Sequence, residues 1–216
     1  AWTVTTIAGA PGTSGTSDGA GADARFYYPY GIAVDSGTNL YVADSSNQTI
    51  RKLTQSGGVW TVTTIAGTLR TTGTVDGTGS AARFNNPQGI AVDSGTNLYV
   101  ADRSNNSIRK LTRSGTAWIA TTIAGTSGAA TSGTVDGIGS AARFFTPQGI
   151  AVDSGTNVYV TDNSNSSLRK LILTGTHWMV TTIGGLAQVS GTSDGFGSAA
   201  RFYSPFGIAV DASGNL

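Results

Sequence analysis

Pro29-Tyr30-Gly31-Ile32-Ala33-Val34-Asp35-Ser36-Gly37-Thr38-Asn39-Leu40-Tyr41-Val42-Ala43-Asp44 decides the fold of this chain. Gly31 to Asp35 reads as a short apolar strand, entered through Pro29, which cannot donate to a ladder and so suits a strand start. Ser36 to Asn39 reads as a tight turn, with Gly and Asn expected to supply the positive φ angles it needs. Leu40 to Asp44 is a second strand of the same kind. Ser45 to Gln48 turns again into a third strand, Thr49 to Thr54. Gln55 to Gly58 turns into a fourth, Trp60 to Gly67. Connections this short predict an antiparallel meander.

The unit recurs. Its opening phrase returns at Pro87, Pro147 and Pro205, and tryptophan stands at Trp2, Trp60, Trp118 and Trp178, in steps of 58, 58 and 60 residues. A fixed period of this size means stacked supersecondary units. Ile32 and Val34 alternate with Ala33, so both faces of the strand are apolar, as expected when sheets stack face to face around an axis. The fold class predicted is all-β, a β-propeller of four-stranded antiparallel blades. A parallel solenoid has shorter coils and no hairpins within its unit. The chain reads as one propeller segment, 1–216, with blades near 31–67, 89–125 and 149–185 and partial blades at 1–9 and 207–216. Two single strands, Trp2 to Ala8 and Gly207 to Asp211, lack partners in this reading. The expectation is a segment of a longer array, or a protomer completed by another copy, because open strand edges invite pairing.

Between the fourth strand and the next proline lies a longer linker, Thr68 to Asn86, whose constant part is Asp76-Gly77-Thr78-Gly79-Ser80-Ala81-Ala82-Arg83-Phe84. Phe84 and its equivalents are expected to plug the gap between units, and Arg83 and its equivalents to bond a carboxylate or turn carbonyls. The third copy is two residues longer around Ala129 to Ser132, where a surface loop tolerates length.

Charge follows the framework. The chain has 13 basic and 12 acidic groups, net +1, so the overall balance implies no charged partner. All the acids are Asp, and all but Asp23 sit at recurring positions. Ten of the 13 cations recur likewise. Absence of Cys excludes a disulfide scaffold and thiol chemistry. No apolar run approaches the ~20 residues of a membrane-spanning helix. A Gly, Ser, Thr and Asn surface poor in Lys and Glu is the composition of an exported bacterial protein, so an extracellular or cell-surface location is expected.

Catalytic constellations are hard to build here. His177 is the only histidine, outside the repeat pattern, and one His without Glu or Cys makes neither a His-rich zinc site nor a Ser-His-Asp triad. Asp35 to Asn39 and Asp18 to Gly21 have hard oxygen donors but lack the carboxylate density of a tight calcium site. No cofactor and no metal are expected. The Arg-Lys pairs at 51–52, 109–110 and 169–170 send adjacent side chains to opposite faces, so no basic stripe for nucleic acid forms. Asn47-Gln48-Thr49, Asn105-Asn106-Ser107 and Asn165-Ser166-Ser167 match the N-glycosylation acceptor pattern, and turn preference for Asn explains them equally well. The informative positions are those that vary around the fixed proline: Tyr27, Tyr28 and Tyr30; Asn85, Asn86 and Gln88; Phe145, Thr146 and Gln148; Tyr203, Ser204 and Phe206. They precede the innermost strands and should ring one mouth of the central channel. Aromatics mixed with amides suit sugar, peptide or protein contact; drift at exposed loop positions gives the same pattern.

Pro-x-Gly-Ile-Ala-Val-Asp, Asn-Leu-Tyr-Val-Ala-Asp and Ser-Asn-x-x-Ile-Arg-Lys-Leu together resemble the NHL repeat, and Asp-Gly-x-Gly-x-x-Ala-Arg-Phe-x-x-Pro is similar to the linker of a longer-period NHL subgroup. The Asn-His-Leu triplet that names the family reads Asn47-Gln48-Thr49 here. The resemblance implies six blades as the commonest closure, with the Gly-Ile-Ala-Val-Asp strand innermost and the Trp-led strand at the rim. It also implies that metal-dependent lyase or lactone-hydrolase chemistry would need His or Glu facing the channel, which this chain lacks. The expected function is therefore a non-enzymatic scaffold that holds a protein or carbohydrate ligand at the propeller face. Two alternatives stand beside it: a subunit of an extracellular fibre joined through open blade edges, and a calcium-dependent binder or NHL-like hydrolase or lyase.

Overall fold

The computed structural model describes residues 1–126 and 131–216. It contains three antiparallel sheets in series. The first is built from β1 (Gly19–Ala20), β2 (Pro29–Val34), β3 (Leu40–Asp44), β4 (Thr49–Ser56) and β5 (Val59–Ala66). The second repeats it with β6 (Gly77–Thr78), β7 (Pro87–Val92), β8 (Leu98–Asp102), β9 (Ser107–Ser114) and β10 (Ala117–Ala124). The third has β11 (Gly137–Ile138), β12 (Pro147–Val152), β13 (Val158–Asp162), β14 (Ser167–Thr174) and β15 (His177–Gly184). The first part of the expected insertion, Ala129 and Ala130, lies outside the described residues.

Each blade is a four-strand meander carrying a fifth, two-residue strand, so the expected count of four is corrected to five. In the first blade Gly19 and Ala20 pair with Val62 and Thr61, which places linker residues on the outer edge of the rim strand. The blade order is thus β1-β5-β4-β3-β2. The third strand also runs two residues further than Thr54, because Ser56 still pairs with Val59 before Gly57 and Gly58 turn the chain. Neither Trp2 to Ala8 nor Gly207 to Asp211 pairs as a strand.

The first turn corrects a second expectation. The residue with positive φ is Thr38 (62°), not Gly37 or Asn39, and Thr96 and Thr156 repeat it at 61° and 63°. A non-glycine residue is uncommon in this region. Here Asp35 fixes the turn: its carboxylate accepts the Asn39 amide N–H at 2.8 Å, the Asn39 side chain at 2.9 Å and the Tyr41 hydroxyl at 3.0 Å. A Cβ at Gly37 would stand 3.3 Å from the Asn39 side-chain nitrogen and 3.4 Å from the Asp35 carboxylate, so glycine there eases a tight contact with the clamp.

The blades stack as wedges. Tyr41, Ala43, Ile50 and Ala66 of the first cover Phe84, Ile90, Val100, Leu111 and Trp118 of the second. The second covers the third through the equivalent residues. Rings lock each seam near the rim: Tyr41 meets Trp118 edge-on at 5.7 Å, and Tyr99 meets Trp178 at 5.8 Å. Phe84 and Phe144 are fully buried, as expected of plugs between units. At the hub the inner strands touch backbone to backbone. A Cβ on Gly31 would collide with the Gln88 carbonyl, one on Gly89 with the Gln148 carbonyl, and one on Gly149 with the Phe206 carbonyl.

Candidate functional site

The variable residues around the proline sit on a backbone that the blade holds firmly. The origin of that grip is a buried carboxylate. Asp44, at the end of β3, accepts the Tyr27 amide N–H at 2.8 Å, the Asn47 side chain at 2.8 Å and Arg51 Nη1 at 2.7 Å. Arg51 Nη2 reaches the linker, where it bonds Asp18 at 2.7 Å and the Ser17 carbonyl at 2.8 Å. The guanidinium also lies 5.1 Å from the centre of the Phe26 ring. Asp18 holds Thr64 of the rim strand through its N–H and hydroxyl. One arginine therefore ties hub loop, linker and rim. Arg109 and Arg169 repeat the node with Asp102 and Asp76, and with Asp162 and Asp136.

Burial raises the Asp102 and Asp162 carboxyls to about 6 despite the opposing pull of Arg109 and Arg169, and it raises Asp44 in the same direction. Asp35 and Asp153 end below the ordinary range: burial pushes them up, and hydrogen bonds from Asn39 or Asn157 and from the neighbouring tyrosine outweigh it. The recurring Arg83 class bonds carbonyls, of Ser80, Ala81 and Ala82, while the carboxylates go to the Arg51 class.

On this frame the expected ring of site residues divides into two tiers. The residues after the proline converge at the hub. Gln148 Nε2 donates to the Tyr30 hydroxyl at 2.8 Å and to Gln88 Oε1 at 2.8 Å, and the Tyr30 and Phe206 rings lie 5.7 Å apart. Gln88 and Gln148 are buried. These four side chains meet one another at the hub, where the glutamines are buried and the Tyr30 and Phe206 rings remain 43% and 57% exposed.

The residues before the proline form the outer tier. Tyr28, Asn86, Thr146 and Ser204 are left-handed, with φ between 46° and 55°. Their neighbours Tyr27, Asn85 and Phe145 donate N–H to Asp44, Asp102 and Asp162. Asn86 and Thr146 donate theirs to Gln48 and Asn106 of the preceding blade. In the first three copies the backbone is tied to a node aspartate and the Thr146 hydroxyl pairs with Ser164, while Tyr28 is 73% exposed and Tyr203, in the fourth copy, 76%. Tyr27 and Tyr28 lie 5.2 Å apart, and Arg70 stacks over Tyr27 at 5.9 Å. No ring contact joins Phe145 or Tyr203 to them among the described residues.

The glycosylation pattern is overturned. Asn47, Asn105 and Asn165 are buried, and each side-chain amide donates to a linker carbonyl at 2.6 Å and to the node aspartate at 2.8 Å. A glycan has no room there. The oxygen-rich loops considered for calcium are likewise occupied by protein donors, at Asp35 by Asn39 and Tyr41, and at Asp18 by Arg51 and Thr64. Among the described residues no three His, Cys, Asp or Glu side chains converge. No helix is long and apolar enough to cross a membrane.

The NHL repeat profile matches residues 26–53, 84–111 and 146–171. NHL repeat-containing protein 2 of Bos taurus is 36% identical over 99 residues, and that of Homo sapiens 36% over 97. Those matches cover 45% and 44% of this chain and 13% of each relative. A solved protein of unknown function from Bacteroides thetaiotaomicron superposes with a TM-score of 0.65 at 27% identity, over 85% of this chain and 42% of its own. An auxiliary nutrient binding protein from Bacteroides ovatus superposes with a TM-score of 0.65 at 19% identity, over 89% of this chain and 44% of its own, and shares the fold. The chain thus spans less than half of those structures and a small part of the curated relatives. Its three sheets carry the NHL repeat at those residues and are arranged as the blades of a β-propeller.

Proposed function

We propose that this chain is a non-enzymatic binding scaffold that presents the outer aromatic tier to a protein or carbohydrate ligand outside the cell. One observation carries the reading: Tyr28 is largely exposed, while the turn that holds it is tied to buried charge through the Tyr27 N–H on Asp44; Tyr203 is exposed at the equivalent position of the fourth copy. Most exposed aromatic rings on loops are mobile. Rings on a fixed backbone supply contact area with little ordering cost, the arrangement found at binding hot spots. Amides at Asn85 and Asn86 hold the equivalent positions of the second blade and add directional donors and acceptors to the tier. A glycan array and a displayed-peptide library probed with wild type, Tyr28→Ala and Tyr203→Ala test this. The expected result is a defined bound class, weakened ~10-fold or more in the variants with unchanged melting. A class bound equally by all three proteins, or none at all, overturns the reading.

A second reading, assembly, rests on a separate observation. Ile32 is 62% exposed and Val34 59%, beside a hollow of about 320 Å³ lined by Ile7, Phe26, Leu40, Val42 and Leu53. In the second and third blades the same apolar face is covered by the preceding blade. The occupant that fits the first blade is a blade of the same repeat, in a longer chain or in another copy. Sedimentation of Ile32→Lys beside wild type distinguishes the two functions. Assembly requires wild type to associate with rising concentration and the variant to remain monomeric.

A further inference from the structure

Charge that recurs with the repeat serves the blades, so the three cations outside it, Arg70, Arg103 and Arg113, are the places to look for something else. Arg70 lies over Tyr27 in the tier already described. Arg103 sits in the short turn Arg103–Asn105. Arg113 opens onto a hollow of about 370 Å³ at the seam between the first and second blades. Lys52 reaches the same hollow from β4, and Thr63, Thr64, Thr116 and Trp118 complete its walls.

We propose that this seam binds one oxyanion, a sulfate or phosphate ester or a carboxylate, between Lys52 and Arg113. Neither cation has a carboxylate within ion-pair distance among the described residues, although every node arginine has two. Both are nevertheless oriented. Arg113 Nε donates to the Gly115 carbonyl at 2.9 Å, which fixes the plane of the guanidinium and leaves its two terminal nitrogens for a ligand. Lys52 Nζ lies 5.9 Å from the centre of the Tyr41 ring. A planar fork beside a point charge is the pairing that suits an oxyanion, the fork accepting two oxygens and the ammonium a third. The Thr116 hydroxyl stands in the same wall as a further donor. The Thr64 hydroxyl is already bonded to Asp18.

The repeat itself contains the control. At the seam between the second and third blades Lys110 replaces Lys52, but Leu173 stands where Arg113 does, and the first copy has Gln55 there. That seam has one cation and no fork. The site is therefore single in this chain, and it is separate from the aromatic tier, so either proposal can fail without the other.

The test is titration at low ionic strength with inorganic sulfate, inorganic phosphate and glucuronate, followed by backbone amide NMR shifts. The expected result is saturable binding of one equivalent of at least one anion, with shifts centred on Thr116 to Trp118 and Lys52, weakening as salt rises. Sulfate or phosphate alone assigns a tetrahedral ester; glucuronate alone assigns a carboxylate. Arg113→Leu and Arg113→Gln install the residues of the sister repeats, so the fold accommodates them. Each should weaken binding at least ~10-fold, while Lys110→Gln and Tyr28→Ala leave it unchanged. The proposal is overturned by no saturation with any of the three anions, by equal binding in Arg113→Leu, or by two or more equivalents bound.

Discussion

Gly89 offers a clean measure of how closely the blades meet, because the same motif position occurs both covered and uncovered in one chain. An alanine Cβ at Gly89 would collide with the Gln148 carbonyl and stand 3.0 Å from the Ile150 amide nitrogen. Both obstacles are backbone of β12, so no side-chain rotation relieves the clash, and the whole third blade must shift. At Gly207, in the fourth copy of the motif, nothing lies within 4 Å. Neither glycine has positive φ, so the local backbone accepts alanine at both. Without a clash, Gly→Ala stabilises by about 0.4–1 kcal/mol through the unfolded chain. Overpacking a tight contact costs about 1–3 kcal/mol. Gly89→Ala and Gly207→Ala should therefore differ by about 1.4–4 kcal/mol, with the sign of the change opposite in the two. Urea unfolding followed by tryptophan fluorescence reads this as a lower midpoint for Gly89→Ala and an unchanged or higher one for Gly207→Ala. Equal midpoints would refute the close contact of inner strands on which the hub depends.

Two further outcomes test the buried nodes. Arg109→Leu leaves Asp102 buried without its cation, and breaking a buried pair from one side costs about 3–5 kcal/mol; adding Asp102→Asn should recover part of that loss in the same urea assay, and no recovery would mean that Arg109 acts through packing alone. For pH, Asp102 and Asp162 bind protons more tightly folded, at about 6, than at the ordinary 3.8, so their contribution to stability rises as pH falls from about 6 to 4. Asp35 and Asp153 are held below 3.8, and their contribution is lost as pH falls through that value. The melting temperature should therefore be no lower at pH 5 than at pH 7 and should drop below pH 4; a steady fall from 7 to 5 would show that the node carboxylates are not raised.

The strands were legible because they depend on near neighbours. Leu40 to Asp44 is bounded by turn residues on both sides, and its ends match the reading residue for residue. The third strand extends past the expected end at Thr54, because polar residues such as Gln55 and Ser56 continue a ladder wherever the hairpin closes further out. Gly19 and Ala20 gave no signal as a strand: two small residues show no alternation, and their partners lie some forty positions ahead. The positive φ at Thr38 was assigned to Gly and Asn by residue preference, and the Asp35 clamp overrides that preference. The node arginine had a visible signature, in that Asp44 and Arg51 recur at fixed spacing with Asp18. Adjacency in the linker drew attention to Arg83 instead.

The division of the site residues shows why a pattern of variation cannot by itself locate a surface. Tyr30 and Tyr28 flank one proline and both vary among the copies, yet Tyr30, though 43% exposed, reaches Gln148 and Phe206 across the hub, while Tyr28 stands in solvent. The difference follows from the direction in which each residue leaves the strand. Tyr30 lies within β2 and points along the converging inner strands; Tyr28 lies in the left-handed turn before it. Variation at the inner position changes how the hub is filled: tyrosine and phenylalanine reach across, and glutamines bond between them. Variation at the outer position changes what the molecule presents, with the Thr146 hydroxyl's bond to Ser164 the exception in the third copy. Inner substitutions such as Gln148→Ala should therefore be read through stability, and outer ones through binding, so that a loss of binding at Tyr28 or Tyr203 with unchanged melting is the result that identifies a surface rather than a support.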